Sequence, residues 1–112
     1  MSKEFNDKED KQMQDTICNY LVSRAMPSIN NLTSNGAPCQ ELSSLAFYLG
    51  EFYVRMSQTI NTAEMIEAMD FIMHRIDPII FQLEKSGKNN QALQLITSIK
   101  RSLEQYQKEV TL

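Results

Sequence analysis

His74 is the one histidine in this 112-residue chain, and Asp70 and Glu67 precede it on what periodicity makes a helix. Spacings of four and seven residues place two carboxylates and an imidazole along one helical face, a donor set suited to a divalent cation. A carboxylate-bridged dinuclear centre in a helical bundle, however, takes a Glu-x-x-His element from each of two helices. One histidine cannot supply both, so the sequence favours a solvated polar face, and no metal or other cofactor is expected.

Cys39, in APCQE, lies where a helix should start, a position at which the helix dipole favours a thiolate. A Cys-His nucleophile would need His74 beside it in space. The chain has no glycine-rich phosphate loop, no G-x-S-x-G and no H-E-x-x-H, and holds three glycines in all. These features argue against an enzyme, and an ordinary, partly buried thiol is the simpler reading of Cys39.

The elements that must position such residues follow from the apolar spacing. Met13, Ile17, Tyr20, Leu21, Ala25, Ile29 and Leu32 recur at helical intervals and predict a first helix, kinked or broken at Pro27. TSNGAPCQ, with Asn35-Gly36 and Pro38, reads as a loop. LAFYLGEFYVRM (residues 45–56) also fits two short strands about Gly50-Glu51. As a helix, Leu42, Leu45, Leu49, Phe52, Tyr53, Met56 and Ile60 share one sector for 19 residues, whereas a lone hairpin is marginal in water, so the spacing predicts a helix.

Asn61, followed three residues later by Glu64, predicts a helix start, with Met65, Met69, Ile72, Met73 and Ile76 on its apolar side. Methionine there reads as core filler rather than as a flexible docking surface. DPII (residues 77–80) predicts a fresh start or a kink, with Asp77 as cap and Pro78 in the first turn. Gly87 suits a helix C-terminus, and Leu93, Ile96, Ile99, Leu103, Tyr106 and Val110 define the last helix, from about Asn90 to Glu109. The expectation is all-α: a four- or five-helix antiparallel bundle or stacked helical hairpins, with possible breaks or kinks at Pro27 and Pro78. Residues 1–10 read as a flexible segment, and residues 11–112 as one helical domain. The stretch from Ile76 to Tyr106 resembles a single tetratricopeptide unit in the spacing of Gly87 and Ala92, but no second copy recurs at that repeat's period of about 34 residues.

Composition limits the function classes. With 42% hydrophobic residues, 22% charged residues and a net charge of -3, the chain reads as an acidic globular domain, poorly suited to gripping phosphate backbones. No apolar run approaches the roughly 18 residues of a membrane span, and MSKEFNDKEDKQ lacks the apolar segment of a secretory signal. Two cysteines without CxxC spacing point to reduced thiols, and the cytoplasm is the expected compartment.

The residues left over by the helical stripes are the most informative. Phe47 and Val54 fall opposite the main stripe of the second helix, with Ser43, Gly50 and Ser57 around them, an arrangement that admits a second helix at close range. Phe71 falls among Glu64, Glu67, Asp70, His74 and Arg75, where an aromatic is a candidate anchor for a partner. The alternative is that the monomer covers these residues itself. The leading expectation is a small cytoplasmic protein-interaction module, an adaptor, secretion chaperone or inhibitor of another protein complex, that binds through Phe47, Gly50, Val54 and Phe71. Homodimerisation is its simplest form. A regulator contacting nucleic acid through Lys85, Lys88, Lys100, Arg101 and Lys108 is a less favoured alternative, and a metal or small-ligand bundle using Glu67, Asp70 and His74 a second.

Overall fold

Each helical stretch carries one apolar stripe that must leave water, and the chain meets that demand by closing four helical rods around a shared core. The computed structural model describes residues 8–35, 39–87 and 90–111. In order these are α1 (Lys8–Tyr20), a π-helical turn (Leu21–Ala25), α2 (Met26–Ser34), α3 (Gln40–Gln58), α4 (Thr62–Ser86) and α5 (Asn90–Thr111). The first three run on as one rod. Short connections make successive rods antiparallel; α4 packs between α3 and α5, and the first rod lies against α3 and α5 on the other side. The result is the expected all-α bundle, drawn out to 51 × 23 × 18 Å. Among the described residues, no helix is long and apolar enough to cross a membrane.

Ile17, Leu21 and Ile29 of the first rod meet Leu45, Leu49 and Phe52 of α3 in the core. Met65 and Met69 are fully buried and Met73 packs against them, so the methionines of α4 fill the core. Ile60, expected at the end of the α3 stripe, lies beyond that helix and is exposed. Gly87 and Ala92 are a helix-ending glycine in the left-handed region (φ 63°) and a buried small residue, roles explained by the α4–α5 hairpin.

Neither proline breaks its rod. Before Pro27 the helix widens by one residue, and the Met26 amide bonds to the Leu21 carbonyl in the π turn. Such a turn is a known accommodation where the regular ladder is interrupted. At Pro78, where the sequence left a new helix or a kinked continuation open, the helix continues, and α4 runs unbroken from Thr62 to Ser86. Ile76 and Ile79, on either side of Pro78, belong to one buried stripe with Ile72 and Leu83, so a break would expose half of it. Pro78 and His74, whose carbonyl loses its partner there, lie on the solvent side, where the freed carbonyl is open to water. Asp77 is accordingly no cap and instead accepts a hydrogen bond from Lys100 of α5 at 2.8 Å.

The expected cap at Asn61 forms. Its side chain accepts from the Glu64 amide at 2.9 Å, and the Glu64 carboxylate accepts from the Ile60 amide at 2.9 Å. The helical start is earlier than the sequence suggested: Lys8 to Asp10 already belong to α1, and Asp10 accepts a 2.7 Å hydrogen bond from the Thr62 hydroxyl. The remainder of the expected flexible segment, residues 1–7, lies outside the described residues.

Gln14 is the buried polar residue that periodicity did not single out. It occupies the core stripe of α1, three residues before Ile17, and its amide nitrogen reaches the end of α3. There it donates toward the Met56 carbonyl (2.7 Å), the Thr59 carbonyl (2.9 Å) and the Thr59 hydroxyl (2.9 Å). Thr59 in turn donates to Met56 at 2.8 Å, while Lys11 donates to the Gln14 carbonyl oxygen at 2.8 Å. Replacing Gln14 by Leu strips these buried oxygens of a donor and should lower unfolding free energy by about 1–3 kcal/mol. In Gln14→Glu an ionised carboxylate faces the same oxygens, which raises its folded pKa above the unfolded value. That deficit should therefore be larger at pH 7 than at pH 4. Urea unfolding at both pH values reads both effects; wild-type stability in Gln14→Leu would contradict the role assigned to this amide.

Candidate functional site

The helix α3 buries Leu42, Leu45, Leu49, Phe52 and Met56 on one side and leaves the opposite side open. On that side Phe47 is 65% exposed and Val54 50% exposed, one above the other with Gly50 between them. Ala46, Glu51 and Arg55 complete a shallow groove with these three. A Cβ built on Gly50 would meet nothing within 4 Å, so the described chain leaves room for a side chain there. Among the described residues, nothing buries Phe47 or Val54, contrary to the alternative in which the monomer covers both faces of α3.

Phe71 sits elsewhere. It is half-buried at the seam between α3 and α4, with the Arg75 guanidinium 3.9 Å and the Arg55 guanidinium 4.1 Å from its ring centroid. Arg75 also donates to the Phe71 carbonyl at 3.3 Å and lies 5.8 Å from the Tyr48 ring centroid. The polar sector that made Phe71 look like an exposed anchor thus supplies one of the cations that cover it. Its link to the open face runs through Arg55, which stacks on Phe71 and also lines the α3 groove.

The remaining candidates do not converge. His74 Nδ1 lies 2.7 Å from the Asp70 backbone carbonyl, while the Asp70 carboxylate turns to α5 and accepts from Gln107 at 2.9 Å. Among the described residues, no three His, Cys, Asp or Glu side chains are placed to hold a metal ion. His74 instead borders a second groove between α3 and α4, with Glu41, Ser44, Tyr48 and Gln82. Cys39 holds the N-cap position of α3 with no hydrogen bond from its side chain to the first turn, and packs against the core. Cys18 is the other free thiol; burial pushes its pKa up, Asp15 adds to the rise and Lys11 opposes it.

The hydrogen bond to Asp77 raises the Lys100 pKa, burial opposes the rise, and the charges of Asp77, Glu104 and Glu84 add to it. Lys85 and Arg101 are exposed, and Lys88 lies outside the described residues. Sequence reading missed Phe81, 60% exposed on the outside of α4. Treating Pro78 as a helix start reset the register there; counting through the proline sets Phe81 opposite the Ile72–Ile76–Ile79–Leu83 stripe.

No family model matches the chain, and no characterised protein or solved structure is significantly similar to it. The architecture by itself defines a small all-α bundle with an uncovered apolar groove on α3. Glycine inside a helix costs about 1 kcal/mol relative to alanine, and here the space for a methyl group is empty. Gly50→Ala should accordingly stabilise the dilute protein by about 0.5–1 kcal/mol in urea unfolding. A loss of stability would mean that the fold itself constrains this position.

Proposed function

We propose that this protein is a small protein-interaction module that acts by stoichiometric binding, as an adaptor, secretion chaperone or inhibitor of another protein complex. The observation that carries the reading is the outer face of α3, where two large apolar side chains flank a glycine that no neighbour in the fold requires. Exposed apolar groups beside a bare stretch of helical backbone suit the docking of another helix. The two free cysteines accord with action in a reducing compartment, and we place it in the cytoplasm. The nucleic-acid alternative gains little from a Lys100 already paired with Asp77.

A photoreactive amino acid at position 54, introduced in the native host, tests the reading, with the exposed position 101 on α5 as control. Discrete adducts from position 54 and none from position 101 are expected. Adducts from neither position would sink the proposal, and equal labelling from both would remove α3 as the contact surface.

A further inference from the structure

The groove between α3 and α4 carries a charge toward each end. At one end the Arg75 guanidinium lies 5.8 Å from the Tyr48 ring centroid. At the other stands Glu41, about two turns before Tyr48 on α3 and so about 10 Å from it along the helix axis. The ion pairs of the described residues are Lys11–Asp15 and Lys100–Asp77, so neither Glu41 nor Arg75 has an opposite charge at salt-bridge distance among them. No acid stands three or four positions from Arg75 on α4 to supply one. The guanidinium is held instead by the Phe71 ring, 3.9 Å away at its centroid, and by one hydrogen bond to the Phe71 carbonyl, with its other donors left over. Between the two charges the groove offers polar groups that the helices do not need. Pro78 has no amide for the His74 carbonyl, which points along α4 toward Pro78 and opens on the groove that both residues line. Ser44 and Tyr48 add hydroxyls from α3.

We propose that this groove binds a short extended peptide, with its terminal carboxylate on Arg75, its ammonium beside Glu41 and a main-chain N–H donating to the His74 carbonyl. A guanidinium fork matches a carboxylate, and a main-chain acceptor without a partner matches an amide donor. A bare anion such as phosphate would take Arg75 but leave that carbonyl without a donor, and it would face the Glu41 charge in the same groove. The separation along α3 corresponds to about three extended residues at roughly 3.3 Å each, so a tripeptide reaches both charges. A groove of about 400 Å³ suits a ligand of that size, toward the lower end of the roughly 300–1,000 Å³ of small-ligand sites. The inference does not rest on the outer face of α3, whose Phe47, Gly50 and Val54 line a different groove.

Titration of the isotope-labelled protein with trialanine at low ionic strength, read by amide chemical shifts, tests the proposal. Saturable shifts should concentrate on residues 41–48 and 74–78 and be absent from α5. Amidating the peptide's C-terminus removes the charge that Arg75 meets and should weaken binding about tenfold; Arg75→Gln should do the same to the unmodified peptide. Acetylating the N-terminus should weaken binding to the wild type, whereas Glu41→Gln should bind the free and acetylated peptides alike. The two peptide modifications leave the protein unchanged, so the test stands even where a variant fails to fold. Three results would each overturn the peptide site: no saturable shift at millimolar trialanine, equal binding of the free and amidated peptides, or inorganic phosphate that shifts the same residues as tightly as the peptide does. Equal binding of the free and acetylated peptides to the wild type would overturn the placement of the ammonium beside Glu41.

Discussion

The last carbonyl oxygens of α3 end inside the protein, and the amide of Gln14 meets them from the first rod at 2.7–2.9 Å. Apolar stripes on packed helices tolerate repacking, because one aliphatic contact can replace another at modest cost. A buried amide that must find two carbonyls and a hydroxyl has no such freedom; displacing the first rod by a turn would leave those groups unpaired. The Gln14 contacts therefore fix the height of the first rod against the α3–α4 hairpin. With that height set, Asp10 meets Thr62 at one end of the α1 segment and Tyr20 meets Tyr106 edge-to-face, at 5.7 Å between centroids, at the other. The Asn61–Glu64 cap sits in the same turn, so helix capping and rod register are settled at one end of the bundle.

Much of this fold was legible because burial imposes period. Leu42, Leu45, Leu49, Phe52 and Met56 could be read as one face, since every one of them is required by the core. At the prolines the sequence left a break or a kink open, because local rules treat proline as a boundary; burial on both sides outweighs one lost hydrogen bond when the missing donor faces water. Ile76 and Ile79 carry α4 through Pro78, and a π turn carries the first rod past Pro27. Gln14 was invisible for the opposite reason, because its importance comes from Met56 and Thr59, 42 and 45 residues away.

Candidate site residues divide along the same line. Phe47, Gly50 and Val54 share one helix face by local geometry, and the fold leaves that face open. Phe71 depended on which arginines lay across the seam; Arg75 belongs to its own helix, but Arg55 reaches it only through the packing of α3 on α4. Within the described fold Phe71 supports Arg55. By holding Arg55 at the border of the groove, Phe71 ties the packing of the seam to the electrostatics of the open face.

The bundle core asks nothing of the outer side of α3. A polar residue at 47 or 54 would keep that side wet at no cost to the core, and alanine at 50 would strengthen the helix by up to about 1 kcal/mol. Phe47, Gly50 and Val54 thus run together against the preference of the isolated fold. Under the proposed reading these deviations share one cause. A second helix lying across Gly50 would bury the two apolar side chains and use the missing Cβ, so the residues least explained by the monomer become the ones most explained by its contact.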